Sequence, residues 1–298
     1  MTQDLFVRRY QMPGVPVILT GIVSPDWNWT LEYLCNQLGN QSFLLRRYGQ
    51  ERYQQDKRTW TSIGSGVPPE TQSFATYAEL LRSREAHEQD IYLAKCSIEN
   101  TPLAQTAAIE QIQSHLHQLG LQPASRMNLW VGPGGHMECL HYDPTDGTLI
   151  QLHGSKQVAL FPPSQTANLY PFPVYVHLWH GMKVRSWFSQ VYPDRPDFAA
   201  FPRLRQALNH RYDLVLQQGE VLYIPSGWWH EVTALGDEMV CSVNRFWKVP
   251  THRAWLSWQR WRAFLGSICA LPNVGFSLMQ ALLSRDRQHQ IKQVLQMF

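Results

Sequence analysis

Charge is scarce in this sequence. Lys, Arg, Asp and Glu together make up 16% of 298 residues, with a net charge of +3 and a pI near 8.6. With 44% hydrophobic and 12% aromatic residues, so little charge excludes a disordered chain and predicts a substantial buried core. The mild basic excess shows no concentrated footprint of the kind nucleic acid requires. Its densest patch, Arg46, Arg47, Arg52, Lys57 and Arg58, reads as a solvated face. Cysteine is sparse too: Cys35, Cys96, Cys139, Cys241 and Cys269 are widely spaced and form no CxxC. This argues against a disulfide framework or a Cys-based zinc site, and suits a reducing cytosol. No uninterrupted apolar run approaches the ~18 residues of a membrane span. The opening MTQDLFVRRYQMPG lacks the apolar core of a signal peptide. The expectation is a cytoplasmic protein with neither a membrane nor a nucleic acid as partner.

Regular patterns divide the chain into three stretches. In the first, VPVILTGI (16–23) and DIYLAKCSI (90–98) read as strands, and 29–39, 73–84 and 106–120 as helices, two of them stopping at Gly39 and Gly120. From Met127 to Trp247, short strand-like runs alternate with Gly, Pro and Asp, the signature of an all-β sandwich or barrel. Residues 164–212 interrupt them with an irregular stretch rich in Pro, Tyr and His, expected to be a lid or substrate loop. After Pro250, Thr251 is placed to cap a helix carrying Trp255, Trp258, Trp261, Leu265 and Ile268. LPN (271–273) is expected to break that helix. A second would run to Phe298 with Met279, Leu282, Leu283, Ile291 and Val294. Two coverings suit these apolar stripes: the barrel's flank, or a second copy of the chain in a homodimer. The expected division is one domain over 1–250 and a helical extension over 251–298.

Two stretches carry chemistry. LHYDPTDG (140–147) holds His141 and Asp143, which share a face if strand geometry extends that far. Pro144 ends the strand and puts the pair at a barrel mouth. GEVLYIPSGWWHEV (219–232) has Gly219, Pro225, Gly227 and His230 at the spacing of the second cupin motif. Gly135, His141, Asp143 and Gly154 fit the first, with Gly147 where its Glu would stand. His141, Asp143 and His230 make a two-His, one-carboxylate triad, the pattern of non-haem Fe(II) oxygenases, because it leaves coordination positions open on one side of the metal. Trp228 and Trp229 are expected to shield the metal and pack the core. His115 and His117, i and i+2 on a helix, cannot share a face. His177 and His180 read as solvated residues of the insertion. The role of His136 stays open.

The run LHYDPTDGTLIQLHGSKQVALFPPSQTANLYPFP, with PDFAAFP, GEVLYIPSGWWHEVTAL and SVNRFW, resembles the JmjC-type, cupin-like 2-oxoglutarate oxygenases. Within that family it is most similar to the asparaginyl hydroxylases (factor inhibiting HIF kind). The resemblance spans roughly residues 5–250, including FVRRYQMPGVPVILTGI and WNW near the start. It implies an α+β fold with a double-stranded β-helix (jelly-roll) core and flanking N- and C-terminal helices. It implies Fe(II) as the metal, 2-oxoglutarate as cosubstrate, and hydroxylation of a C–H bond in a protein side chain or a small molecule. By this resemblance Lys156 holds the cosubstrate's distal carboxylate, Tyr92 hydrogen-bonds the same group, and Asn244 lies near the cosubstrate. Where the family has Thr or Ser three residues before the first His ligand, this chain has Glu138, and Gly147 stands where Asn is common. Glu138 keeps a competing reading open: a metal-binding cupin that is not an oxygenase.

Overall fold

The computed structural model describes residues 1–64, 66–284 and 287. Twelve strands lie among the described residues: β1 (Val17–Leu19), β2 (Ser42–Arg47), β3 (Glu70–Ser73), β4 (Ile91–Ser97), β5 (Asn128–Pro133), β6 (Met137–Tyr142), β7 (Asp146–His153), β8 (Lys156–Phe161), β9 (Tyr212–Leu216), β10 (Val221–Ile224), β11 (Trp229–Ala234) and β12 (Met239–Trp247). They form an eight-stranded sheet, in the order β1-β10-β7-β12-β5-β4-β2-β3, and a four-stranded sheet, β6-β11-β8-β9. From β5 onward successive strands alternate between the sheets, except at β8 and β9, which pair directly. That winding is the jelly roll. The remaining four strands extend the larger sheet at both edges.

The outer face of the larger sheet is covered by the helices Leu31–Leu38, Phe74–Arg82 and Ala107–Gln118. Each starts where a hydroxyl can cap it. Thr30, Ser73 and Thr106 accept the N–H of the residue three further on, satisfying a donor that the first turn cannot. Their apolar sides (Leu34, Leu38, Tyr77, Ile109, Ile112, Leu116) bury against Leu93, Leu129, Val131, Ile150 and Val243. Burying each such side chain stabilises the fold by about 1.5–3 kcal/mol. The predicted strand over 16–23 is shorter than its apolar run, because Gly21 takes a positive φ and the chain bends away after Leu19.

The insertion is not solvated padding. Leu169, Val191, Phe201 and Leu204 pack on Leu140, Tyr142, Phe161 and Trp229, the outer face of the smaller sheet. His177, expected in solvent, is fully buried: its Nδ1 bonds the Gly181 carbonyl at 2.7 Å and its Nε2 accepts from the Ser186 N–H at 3.1 Å. Arg52 and Lys57 also depart from the expected solvated face, at 4% and 0% exposure. Arg52 lies among the rings of Tyr48, Tyr53 and Trp60. Lys57 Nζ donates to the Val191 carbonyl at 2.8 Å above the Tyr192 ring. Aromatic faces and carbonyls replace water around both cations.

The C-terminal extension also differs from expectation. Thr251 begins a short helix, Thr251–Leu256, without capping it. The break falls at Ser257, whose hydroxyl caps a continuous helix, Trp258–Leu283, that runs through Pro272. Proline removes one hydrogen bond and crowds the preceding turn. Leu271 and Pro272 are exposed, so the helix tolerates it on a side where nothing else is packed. This helix is long and apolar enough to cross a membrane by length and composition, and little of its most apolar part is buried. Its Gly266 side packs against the insertion at His177 and Ser186, while Phe264, Leu265, Ile268, Leu271, Phe276 and Met279 are exposed. Ile291, Val294 and Phe298 lie outside the described residues.

Candidate metal centre and cosubstrate pocket

A cavity of about 320 Å³ opens between the two sheets. β6 and β11 set its metal-binding end. His141 pairs with His230, but the next pair is Glu138 with Val232. Two residues of β6, Cys139 and Leu140, therefore lie opposite one of β11, Glu231, a bulge that rephases the side-chain alternation. Cys139 and Leu140 both pack outside the cavity, while Glu138 and His141 both line it. Glu138 thus faces inward.

His141, Asp143 and His230 converge, with one ligand atom from each lying within 4.8 Å of the others. His230 Nε2 is 3.5 Å from Asp143 Oδ2. The two imidazoles are pinned from behind. His141 Nδ1 is 2.8 Å from the Cys139 carbonyl and His230 Nδ1 is 3.1 Å from the Trp228 carbonyl. A carbonyl only accepts, so each Nδ1 carries the hydrogen and each Nε2 keeps its lone pair for a metal. Phe188 stacks on His141 at 4.8 Å. Burial, with the neighbouring His141, lowers the His230 pKa to about 4, so its imidazole is neutral at neutral pH. Two neutral imidazoles and one carboxylate suit a divalent metal of borderline softness, with positions left open toward the cavity.

Lys156 opens β8 and is 4% exposed; it does not turn out to water. Its Nζ donates to Ser242 Oγ at 2.7 Å, and burial lowers its pKa to about 8. Tyr92 lines the same cavity. It has room only because residue 132 is glycine: a Cβ there would lie 1.9 Å from the Tyr92 ring. Burial, then Glu138, raises the Tyr92 phenol well above its ordinary value, so it is a donor at any ordinary pH. Asn244 also lines the cavity, its Oδ1 accepting from Trp130 Nε1 at 2.9 Å and Asn128 Nδ2 at 3.3 Å. Those bonds hold the amide so that its Nδ2 is left as a donor.

The insertion closes the mouth with Met182, Arg185, Trp187 and Phe188, facing Lys95 from β4. Among its other aromatics, Tyr170 and Phe172 pack inward while Tyr175 and Trp179 are exposed. His115 and His117 sit on the Ala107–Gln118 helix, outside the cavity lining. Trp229 is fully buried, its Nε1 donating to Thr166 Oγ1 at 2.9 Å. Trp228 is partly buried and donates to the Gly14 carbonyl.

Two polar groupings were not foreseen from the sequence. Asp146, 0% exposed, accepts from Tyr223 Oη at 2.6 Å, the Ser226 N–H at 2.8 Å and Arg253 Nη1 at 3.0 Å. It thereby ties the turn before His230 to the C-terminal extension. The other joins Asp90 to His136 at 2.7 Å and to Tyr53 at 2.6 Å. Their members are tens of residues apart, and no local spacing could have revealed either grouping.

A double-stranded β-helix with two histidines and an aspartate at one mouth defines a cupin-type metal protein. The chain belongs to the family described as a cupin-like domain, whose profile matches residues 2–252. It is 29% identical over 255 residues to Lysine-specific demethylase JMJ30 of Arabidopsis thaliana, covering 81% of this chain and 52% of that protein. It is 27% identical over 259 residues to Lysine-specific demethylase 8 of Xenopus tropicalis, covering 81% and 50%. A shorter match, 36% over 118 residues, links it to HSPB1-associated protein 1 of Homo sapiens, covering 39% and 22%. The chain spans about half the length of these two demethylases.

Proposed function

We propose that this protein is an Fe(II)- and 2-oxoglutarate-dependent oxygenase that hydroxylates a C–H bond of a protein side chain or a small molecule. The observation that carries the reading is one cavity holding both the His141–Asp143–His230 triad and the buried Lys156 ammonium. A metal site alone needs no buried cation at its other end. A buried ammonium is costly unless an anion joins it, and a dicarboxylate held by the metal at its other end would supply that anion. When bound, the iron supplies oxidative decarboxylation of the cosubstrate coupled to oxygen insertion. The chain's own work would be to hold the metal through His141, Asp143 and His230, to fix the dicarboxylate through Lys156, Tyr92 and Asn244, and to exclude water with Met182, Trp187 and Phe188. The demethylases among the relatives support the class, since removing an N-methyl group begins with hydroxylating it. The five free thiols suit a reducing cytoplasm.

Glu138 favours a second reading. A carboxylate in the pocket wall opposes a second dianion, so a metal-binding cupin that does not use 2-oxoglutarate is the alternative. Anaerobic titration with Fe(II) and 2-oxoglutarate separates the two. The oxygenase gives a weak visible charge-transfer band that is lost in Asp143→Ala and weakened in Lys156→Ala. Metal binding without a band in the unaltered protein would instead establish the alternative.

A further inference from the structure

The cavity floor has a second polar group that the metal and Lys156 leave unused. His136 is 4% exposed and lines the cavity. Its Nδ1 lies 2.7 Å from Asp90 Oδ1, and Tyr53 Oη donates to the other Asp90 oxygen at 2.6 Å. Burial works to raise the Asp90 carboxyl, but His136 and Tyr53 outweigh it and hold it below its ordinary value. Asp90 is therefore a carboxylate, and Nδ1 carries the hydrogen between them. The ring is clamped by stacking on Tyr92 at 3.7 Å and 19°. Its other nitrogen, Nε2, is buried with no partner. Buried polar atoms without partners are uncommon, and each calls for an occupant.

The strand register shows what that occupant meets. The Ala234 N–H donates to the His136 carbonyl at 2.9 Å, and Ala234 pairs with Lys156 on its other side. His136, Ala234 and Lys156 thus form one row across three neighbouring chain segments. At ~4.8 Å per strand the two outer backbones stand roughly 10 Å apart, with only a methyl group between them. An anion seated over Ala234 is reached from both sides.

We propose that His136 is a second binding group, beside Lys156, for the distal carboxylate of the dicarboxylate cosubstrate, and that it takes up a proton as that dianion binds. The proton comes from solvent to Nε2, whose N–H then donates to a carboxylate oxygen, while Asp90 keeps the Nδ1 hydrogen. The groups facing the ring are Asp90, Tyr53, Tyr48, Tyr92 and Glu138, with Arg52 beyond the two tyrosines. The added proton offsets the charge that Glu138 brings to the wall. This proposal rests on the oxygenase reading.

Calorimetric titration of the Mn(II)-loaded protein with 2-oxoglutarate tests it, run between pH 6.3 and 6.7, well below the Lys156 pKa of about 8, in buffers of different ionisation enthalpy. Lys156 already holds its proton in that range, so uptake reports on another group. The expected result is net proton uptake by the unaltered protein. Uptake is lost in His136→Gln, which keeps a donor and weakens binding only a few-fold. In His136→Leu, affinity falls by roughly tenfold or more. Mn(II) affinity without 2-oxoglutarate stays unchanged in both variants. Uptake that persists in His136→Gln, or affinity in His136→Leu within twofold of the unaltered protein, would overturn the role of His136 and leave the oxygenase reading standing. No 2-oxoglutarate binding by the unaltered Mn(II) protein would overturn both.

Discussion

Lys156 Nζ and Ser242 Oγ meet at 2.7 Å across the interior, joining β8 of the smaller sheet to β12 of the larger. Both residues are buried, Lys156 at 4% exposure and Ser242 at 0%. An ammonium in that position burdens the empty fold and serves a ligand, and this separates stability from binding. Lys156→Met should leave the melting temperature at pH 7 unchanged or higher, because a buried charge is replaced by apolar volume. The same change should weaken 2-oxoglutarate binding by roughly a hundredfold, the loss of a hydrogen bond to a charged partner. Thermal melts and calorimetry on one preparation check both halves.

The pH dependence follows from the same residue. Its folded pKa, about 8, lies below its unfolded value of 10.5. Between those values the unfolded chain holds a proton that the folded chain does not, so Lys156 makes the empty protein more stable as pH rises from about 8 to 10.5. Binding of a dianion needs the charged form. The dissociation constant should therefore increase as pH rises through about 8, and Lys156→Met should lack this dependence.

At the metal end, His230 titrates near 4 rather than 6.5. The unfolded chain protonates this imidazole first, so the metal-free fold loses stability as pH falls from about 6.5 toward 4. His230→Asn should flatten part of that decline in denaturant titrations. Asp143→Ala should reduce metal affinity at least about tenfold while leaving the near-ultraviolet circular dichroism intact, because Asp143 lies beyond the end of β6.

Arg253 neutralises Asp146, which is 0% exposed and also holds Tyr223 and the Ser226 N–H. Removing one partner of a buried pair strands the other's charge, at a cost of about 3–5 kcal/mol. Arg253→Leu should lower stability by that order. Adding Asp146→Asn should recover part of the loss, which a double-mutant cycle measures.

Gly266 faces the insertion so closely that a Cβ would lie 2.6 Å from His177 Nε2 and 2.8 Å from Ser186 Oγ. Gly266→Ala should force that contact apart and destabilise the protein by about 1–3 kcal/mol. Since Trp187 and Phe188 follow directly and line the cavity, quenching of tryptophan fluorescence by metal should change as well. Unaltered stability and quenching would show that the contact opens freely.

The sequence by itself determined the metal site and the layout around it. His141, Asp143 and His230 sit in motifs whose glycines and prolines fix strand ends locally, and the capping hydroxyls of Thr30, Ser73 and Thr106 stand next to the periodic runs they start. Local geometry suffices for such features. Tertiary structure alone decided the rest. A bulge opposite Glu231 turned Glu138 inward, and no β6 residue taken alone signals it. The Tyr192 ring and the Val191 carbonyl, brought in by the insertion, buried Lys57. Packing on the insertion carried the last helix through Pro272. Strand pairing placed His136, Asp90 and Lys156 around one floor. In each case the deciding partner lies tens of residues away in the chain, where only the fold brings it within contact.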